Sequence, residues 1–289
     1  MKILTFDIEE WFHLLDFEDT KNQNQWDRFE VRIYKNVDRI LSILEENNTK
    51  ATFFIIGWIA QKYPDVVKKI AEKYQIGCHT MNHQLVWQQS PKEFENDVES
   101  CIKLLEDITG KKVECFRAPG FSIRESETWA FEILAKLGVT TDSSIFSGRH
   151  AHGGMPSFPY HKPVLISSNG IEIKEFPMSF KHILGHNVIF SGGGYFRLFP
   201  YWLIDKWTKE SEGYLLSYLH PRDFDANQPV LDNLKLSRRF KSYVGLHHSQ
   251  KKLRKWLSDY SFMDIRTATE SIDWSNSLHF ELSCNHSSN

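Results

Sequence analysis

The stretch TFDIEEWFH, at positions 5 to 13, places three carboxylates directly after an apolar run. The run has the composition of a buried strand, and the carboxylates are those of Asp7, Glu9 and Glu10. Because an unpaired carboxylate is costly in an apolar core, we expect these side chains at the carboxyl end of the strand. There they are available for general base catalysis or for binding a metal ion.

A second stretch, HTMNH, contains His79 and His83, four residues apart. Two histidines and one carboxylate form a common ligand set for a divalent ion such as zinc, and they leave a coordination position for water. An ion in such a site lowers the pKa of the water, which then acts as a nucleophile at neutral pH. The residue types therefore fit metal-assisted hydrolysis, although histidines with this spacing also occur by chance.

Three further polar residues follow later strand-like runs: Arg117 in FRAPGF, Asp142 in TDSS and His220 in YLHPRDFD. If the strands are parallel, their carboxyl ends meet at one face, and these residues join the carboxylates and histidines there. A second carboxylate could then accept a proton from the nucleophile, while a distant histidine protonates the leaving group.

The elements that position these residues follow a repeated β/α pattern. Runs such as KILTFD and KATFFIIG alternate with segments of helical periodicity such as VRIYKNVDRILSILEEN. Five such units fit before residue 145, which predicts an α/β fold with a parallel sheet, closed as a barrel. An open doubly wound sheet is the alternative. No strand leads into a G-x-G-x-x-G loop, because SGGGYF at 191 to 196 has the glycines without that spacing.

Several individual elements are predicted by their boundaries. A helix is expected from Ser90-Pro91 to Gly110, because these residues are typical of a helix start and stop. VLISSNGIEIKEFPMS predicts a β-hairpin with its turn at Ser-Asn-Gly. HSQKKLRKWLSDYSFMDIRTATE predicts a basic amphipathic helix followed by a final strand.

Composition and charge exclude several classes of protein. The chain has 289 residues, 41% of them hydrophobic, which is enough for one large core. With 35 basic and 37 acidic residues it has no basic excess, so a nucleic-acid partner is not expected. No run approaches the roughly 18 apolar residues of a membrane span, and no apolar segment of signal-peptide length precedes the first charges. The cysteines form no C-x-x-C pair and are expected as free thiols: Cys78, Cys101, Cys115 and Cys284. We therefore expect a cytoplasmic protein without an integral membrane segment.

The ordered set TFDIEE, HTMNH, FRAPG, DSS and YLHP resembles the motifs of the polysaccharide deacetylases of carbohydrate esterase family 4, which share the deacetylase domain of the nodulation enzymes. The stretches DSSIF, SGGGYFRLFP, YLHPRDFD and YVGL resemble a subgroup with an extended C-terminal region that is associated with exopolysaccharide loci. The resemblance implies a distorted (β/α) barrel with fewer than eight strands. It covers residues 1–270 as a single catalytic domain, with an insertion at 146–213 and a C-terminal extension at 221–270. Residues 271–289 are expected to form a mobile tail.

The resemblance also assigns roles by position. Asp7 matches the general base, Arg117 the arginine that orients it, His220 the general acid and Asp142 the carboxylate that orients the acid. The ligands of a divalent metal, expected to be zinc, are Glu9, His79 and His83. The backbone N–H groups of Gly120 and Phe121 match the oxyanion donors.

This chain departs from the family pattern at the first motif. The family has two adjacent aspartates, whereas here an isoleucine intervenes and the second acid is a glutamate. Glu9 is our expected ligand, and Glu10 is its rival.

Other residues keep two interpretations each. His13 either lines the pocket or packs against its aromatic neighbours. Tyr195 and Arg197 are of types that suit sugar rings and anionic groups. A second metal site or an ordinary solvated loop would account for His150, His152 and His161.

The expected function is removal of an acetyl group from an N-acetylated sugar, present as a polysaccharide, an oligosaccharide or an activated or lipid-linked precursor. The first alternative is a hydrolase of another linear or cyclic amide on the same fold. The second is a sugar-binding module without catalysis, which the complete set of acids and histidines disfavours. The sequence leaves the sugar, the linkage and the oligomeric state open.

Overall fold

The computed structural model describes residues 1–282 except ten positions, which are Asp16, Glu18, Asp19, Lys21, Asn22, His150, Glu212, Asp232, Asn233 and Lys235. Its strands are β1 (Lys2–Ile3), β2 (Thr5–Ile8), β3 (Thr52–Ile55), β4 (Gln75–Cys78), β5 (Cys115–Phe116), β6 (Thr141–Asp142), β7 (Val164–Ser168), β8 (Ile171–Glu175), β9 (Lys181–Ile183), β10 (His186–Val188), β11 (Leu215–Leu216) and β12 (Leu278–Glu281). Its α-helices are α1 (Ile33–Glu46), α2 (Gly57–Lys62), α3 (Pro64–Ala71), α4 (Pro91–Thr109), α5 (Trp129–Lys136), α6 (Gly193–Leu198), α7 (Tyr201–Lys209), α8 (Leu236–Tyr243), α9 (Leu246–Asp259) and α10 (Ile265–Glu270).

The parallel strands form the wall of a distorted barrel. Strands β2, β3, β4, β5, β6 and β8 pair in that order, all in parallel. On the other edge of β2, strand β11 pairs in parallel with β1, and a parallel bridge joins Phe6 to Leu219. Between β8 and β11 there is no continuous ladder in the part of the chain that the structure describes. Two side-chain hydrogen bonds connect them instead, from Tyr214 Oη to the Pro177 carbonyl at 2.7 Å and from the Leu216 N–H to Ser179 Oγ at 2.9 Å. The predicted barrel of fewer than eight strands is confirmed.

The predicted hairpin is confirmed as β7 and β8, which pair antiparallel. Its turn has positive φ at Asn169 (50°) and Gly170 (79°), as a type I′ turn requires. Strand β8 also pairs with β6, so the second strand of the hairpin is a barrel strand and not merely an insertion.

The helices of the first half cover the barrel with apolar faces. Helix α1 buries Ile33, Val37, Ile40 and Leu44, the positions expected from its periodicity. Helix α4 confirms the predicted boundaries, because Ser90 and Glu93 form a capping box and Gly110 is left-handed at φ 65°. On the side of the sheet that faces these helices, Phe6 stacks on Phe53 with ring centroids 5.2 Å apart.

Two local expectations are wrong. The expected strand at FMDIR is reduced to one bridge between Ile3 and Met263, and helix α10 follows. The expected mobile tail contains β12, which pairs in parallel with β7, because Phe280 packs on Phe158 at 4.8 Å. Residues 283–289, with Cys284, lie outside the described residues.

Among the described residues, none of the helices combines the length and the apolar character that a membrane span needs.

Candidate active site

The carboxyl ends of the barrel strands bring six of the predicted residues together. Asp7 lies in β2 and Glu9 directly follows it; His79 directly follows β4 and Arg117 directly follows β5. His220 stands between β11 and the 3-10 turn Pro221–Phe224, and His83 completes the group. Asp7 and Glu9 therefore border a cavity at the end of the barrel and do not lie among its apolar side chains.

Glu9, His79 and His83 form a set that could hold a metal ion. Glu9 Oε1 lies 3.2 Å from His79 Nε2 and 2.9 Å from His83 Nε2. Ligand atoms about 2 Å from one ion lie roughly 3.3 Å from each other in a tetrahedral site, so the donor separations fit an ion such as zinc. His79 Nδ1 lies 2.7 Å from the Arg117 carbonyl. A donor at Nδ1 leaves the Nε2 lone pair directed at the Glu9 carboxylate, as in metal-binding histidines.

The neighbouring histidines lower the pKa of Glu9. Burial would raise the pKa of Glu9, but the charges of His83 and His220 and the hydrogen bonds of His79 and His83 hold it well below its usual range. Glu9 is therefore ionised, as a carboxylate must be to bind a metal ion.

The HTMNH loop has a strained backbone, and a residue outside the motif stabilises it. Thr80 and His83 both have positive φ, 64° and 55°, and such conformations persist only where neighbours fix them. Asp97 of α4 does so, because it accepts hydrogen bonds from the Met81 N–H at 2.7 Å and from Asn82 Nδ2 at 2.9 Å. The sequence reading did not identify Asp97, which has no recognisable motif around it.

Glu10 has a different function. Its Oε1 accepts hydrogen bonds from the N–H groups of Arg32 (2.7 Å) and Ile33 (2.8 Å) at the start of α1. Burial raises the pKa of Glu10 to about 7, although these bonds act against the shift. Glu10 thus caps a helix, and the geometry favours Glu9 as the ligand.

Asp7 is held by the buried Arg117. Arg117 Nη1 donates to Asp7 Oδ1 at 2.8 Å and to Thr5 Oγ1 at 2.7 Å. The DSS motif fixes the arginine, because Arg117 Nη2 donates to Ser143 Oγ at 2.8 Å and Nε to the Ser143 carbonyl at 3.2 Å. Asp7 Oδ2 remains directed toward His220 Nε2, 3.9 Å away.

The partner of His220 is Asp223. Asp223 Oδ2 lies 3.2 Å from His220 Nδ1 and also accepts from the His220 N–H at 2.9 Å. Burial would lower the pKa of His220, but the hydrogen bond to Asp223 and the charges of Glu9, Asp223 and Asp7 raise it to about 9. Asp223 lies three residues after His220 in HPRDFD, and this spacing was the signal that the sequence reading missed.

The structure does not bring Asp142 to His220. Asp142 is fully buried in β6, where it accepts from the Ser144 N–H (2.9 Å) and Oγ (2.7 Å). It is paired across the sheet with Glu175, and burial raises the pKa of both acids, with mutual repulsion adding to the shift at Glu175. Ser144 Oγ in turn accepts from the Ala118 N–H at 2.8 Å. Asp142 therefore supports the Arg117 loop and does not orient the acid, because its strand directs it into the core.

The two predicted oxyanion donors differ. Both Gly120 and Phe121 line the cavity, with φ 60° and 53°. The Phe121 N–H donates to the Ala118 carbonyl at 3.2 Å, which leaves the Gly120 N–H as the candidate oxyanion donor. A Cβ at Gly120 would lie 2.8 Å from the Cβ of His152 and 3.1 Å from Leu15 Cδ1.

Tyr195 and Arg197 both line the cavity, but their roles are distinct. Tyr195 is 43% exposed and is available to a ligand. Arg197 is buried, and its Nε donates to Asp223 Oδ1 at 2.9 Å. Arg197 thus holds the partner of His220, which limits its use for binding a sugar.

The other histidines singled out in the sequence line the cavity or pack against an aromatic ring, where the structure describes them. His13 lines the cavity beside His83, with ring centroids 6.0 Å apart, and burial together with the charge of His83 holds its pKa well below the ordinary value. His152 lines the cavity and His161 packs on Phe180. Among the described residues no metal-binding cluster includes either of them, and His150 lies outside those residues.

Comparison with known proteins agrees with this geometry. Residues 15–141 match the family model described as polysaccharide deacetylase, and residues 143–270 match a domain of unknown function, DUF3473. A peptidoglycan-N-acetylglucosamine deacetylase of Bacillus cereus is 35% identical over 96 residues, which are 32% of this chain and 35% of the relative. A chitooligosaccharide deacetylase of Azorhizobium caulinodans is 37% identical over 82 residues, 28% of this chain and 39% of the relative.

The chain thus spans somewhat over a third of the length of these two relatives. Among solved structures, a candidate polysaccharide deacetylase from Mycobacterium smegmatis superposes with a TM-score of 0.64 at 18% identity, over 97% of this chain and 92% of that one. This likeness shows a common fold, and the family match covers the HTMNH and FRAPG motifs. The first half of the chain therefore resembles the polysaccharide deacetylases in sequence, and the matched region is followed directly by the DUF3473 region.

Proposed function

We propose that this protein is a metal-dependent hydrolase that removes the acetyl group from an N-acetylated sugar. The observation that carries the proposal is the placement of an arginine-bound carboxylate, Asp7, and a protonated histidine, His220, beside one ligand set. Asp7 Oδ2 lies 3.9 Å from His220 Nε2. A base and an acid thus border the same volume, as hydrolysis of an amide requires.

The ligand set supplies the electrophilic part of the chemistry. Glu9, His79 and His83 would hold a divalent ion, which we expect to be zinc, and such an ion polarises the acetyl carbonyl and lowers the pKa of a coordinated water. The fit rests on the converging Nε2 and Oε1 atoms and on the hydrogen bond that fixes His79.

The chain's own residues move the protons. Asp7, oriented by Arg117, takes a proton from the attacking water. The Gly120 N–H donates to the oxygen on which negative charge develops. His220 gives its proton to the nitrogen of the departing amine, which is a poor leaving group unless it is protonated. Asp223 and Arg197 keep the imidazolium in place.

The cavity favours a sugar over a small cyclic amide. It has a volume of about 630 Å³ and extends from the ligand set to the half-exposed Tyr195, which is space for a saccharide of more than one unit. The two curated relatives are named for deacetylation of peptidoglycan N-acetylglucosamine and of chitooligosaccharide. We infer a substrate of that class for this chain, whether polymer, oligosaccharide or precursor.

Acetate release tests the proposal. Protein loaded with zinc is incubated with N-acetylglucosamine oligosaccharides, and acetate and free amine are measured. Asp7→Asn keeps the shape of the base and should lower the rate by about 10²–10⁴-fold while zinc content stays unchanged. The exposed Asp107→Asn serves as the matched control and should keep full activity.

Two outcomes would contradict the assignment. A sugar-binding module would bind the oligosaccharides without releasing acetate from any of them. Loss of zinc in Asp7→Asn would show that Asp7 is a ligand and not the base.

A further inference from the structure

The lining of the cavity carries an excess of positive charge. Its lysines and arginines are Arg149, Arg197, Arg222, Arg238 and Lys241. Its acids are Asp7, Glu9 and Asp223. Each of these acids already has partners: Arg117 for Asp7, the two histidines for Glu9, and Arg197 with His220 for Asp223. Of these cations, Arg197 is paired with Asp223, whereas Arg222 and Lys241 have no carboxylate partner among the residues that the structure describes.

Arg222 is the most unusual of these cations. It is only 7% exposed, and its guanidinium makes one long hydrogen bond to the described residues, from Nη2 to the Ser242 carbonyl at 3.5 Å. In the part of the chain that the structure describes, no carboxylate oxygen lies within 4.0 Å of it. Asp223 is its neighbour in sequence, but Arg197 Nε (2.9 Å) and His220 Nδ1 (3.2 Å) occupy that carboxylate.

Such an arrangement is unfavourable for the protein alone. Burial and the neighbouring Arg197 lower the pKa of Arg222 to about 10, so the side chain is still charged at neutral pH. A buried charge without a counter-ion is unfavourable, and an anionic group on a ligand would supply the counter-ion. An uncharged hydroxyl of a sugar would not do so.

Helix α8 brings a second cation to the same part of the cavity. Lys241 lies on α8 and is exposed. The end of this helix is fixed, because Arg197 donates to the carbonyls of Lys241 (3.0 Å), Ser242 (3.0 Å) and Val244 (2.9 Å). The cations therefore stand on a framework that also positions Asp223 and His220.

We propose that Arg222 and Lys241 bind an anionic group, a carboxylate or a phosphate, carried by the N-acetylated substrate. Both anions present two oxygens to the planar guanidinium, which suits bidentate hydrogen bonding. The inference rests on the proposed function, since it places the charge on the molecule that is deacetylated. It narrows the substrate class from neutral chitin-like chains to acidic glycans or phosphate-linked sugars.

Binding can be measured without turnover in the zinc-loaded Asp7→Asn protein. The probes are a neutral tetrasaccharide of N-acetylglucosamine, a tetrasaccharide that alternates N-acetylglucosamine with glucuronate, and UDP-N-acetylglucosamine. We expect one of the two anionic probes to bind about tenfold to a hundredfold more tightly than the neutral one, the range of a charge-assisted hydrogen bond. The identity of that probe distinguishes a carboxylate from a phosphate.

Variants test whether the basic residues cause the preference. Arg222→Gln should abolish it and leave the affinity for the neutral probe unchanged, whereas Arg222→Lys should keep part of it. If Arg222→Gln does not fold, Lys241→Gln at an exposed site tests the preference instead and should reduce it. Arg254→Gln removes a partly exposed arginine that pairs with Glu46 at 2.8 Å and is the matched control.

The outcomes separate this inference from the proposed function. Equal affinity for neutral and anionic probes, or an equal loss for both in Arg222→Gln and Lys241→Gln, would overturn the inference. If the wild-type protein releases acetate from the neutral oligosaccharide and the anionic probes bind no more tightly, the inference is overturned but the proposed function is sustained. If the anionic probes bind more tightly but the wild-type protein releases acetate from none of the probes, the proposed function is refuted.

Discussion

His220 keeps its proton at neutral pH because Asp223 accepts a hydrogen bond from its Nδ1. The pKa of His220 is raised to about 9, above the ordinary value of 6.5. An acid with a raised pKa stays protonated to higher pH, so the alkaline limb of the pH–rate profile should reflect this pair. Replacing Asp223 with asparagine removes the negative charge and should lower the pKa of His220.

The pH dependence of kcat/KM checks this pair. In Asp223→Asn the alkaline limb should move to lower pH, while in Asp142→Asn it should stay where it is in the wild type. A limb that moves in Asp142→Asn and not in Asp223→Asn would restore the pairing implied by the family resemblance.

The positions of single residues were predictable where a motif specifies them. Asp7, Glu9, His79, His83, Arg117 and His220 meet at the strand ends because each motif directly follows a parallel strand, and that order can be read along the chain. Asp142 satisfied the same rule but lies inside the core, since its strand is only two residues long and its partner is Glu175. The burial of Arg222 and the support from Asp97 depend on helices that approach from elsewhere, so no local pattern reveals them.

The HTMNH loop depends on α4 for its shape. Asp97 holds the backbone of Met81 and the side chain of Asn82, and without it the positive φ values of Thr80 and His83 lose their support. We expect Asp97→Ala to weaken zinc binding by about 10–100-fold, the usual effect of residues that orient metal ligands. Competition with a chelating dye measures this affinity.

The exposed Asp107→Ala on the same helix is the matched control and should bind zinc like the wild type. Unchanged zinc affinity in Asp97→Ala would show that the loop holds its shape without α4.

The Arg117 loop carries the proposed oxyanion donor at Gly120. A Cβ there meets His152 and Leu15 and faces an unfavourable φ of 60°. Gly120→Ala should therefore lower kcat by about 10–10³-fold, as the loss or displacement of one such donor does, with zinc content unchanged. Gly138→Ala separates strain from function, because Gly138 has φ 86° and no atom within 4 Å of the added Cβ. Equal kcat in the two variants would remove Gly120 from the mechanism.

Elements were predictable to the extent that their stabilising contacts are local. Helix α4 and the β7–β8 hairpin carry their own caps and turn, so both were found. Strand β12 pairs with β7, and Met263 forms a bridge to Ile3 of β1. In both cases the partner strand is far away in the sequence. The sequence of a short edge strand does not distinguish it from a tail.

The whole molecule joins two sequence regions in one site. The region matched as polysaccharide deacetylase contributes His79, His83 and Arg117, whereas the DUF3473 region contributes His220 and Asp223. Strand β11 of the second region pairs with β1, and Phe224 packs on Phe6 at 6.4 Å. The DUF3473 region thus completes both the barrel and the acid half of the site.

This shared construction predicts that the two regions do not fold as separate units. A fragment of residues 1–142 lacks β8 and β11, so both edges of its sheet are unpaired, and the apolar surface under Phe6 loses its cover. We expect no cooperative urea transition for this fragment, measured by circular dichroism and tryptophan fluorescence, whereas the full chain unfolds cooperatively. Mixing it with residues 143–289 should restore the transition if the halves associate, and acetate release should appear only in the mixture. A fragment of residues 1–142 that unfolds cooperatively alone would show that the first region is an independent domain to which the second is merely attached.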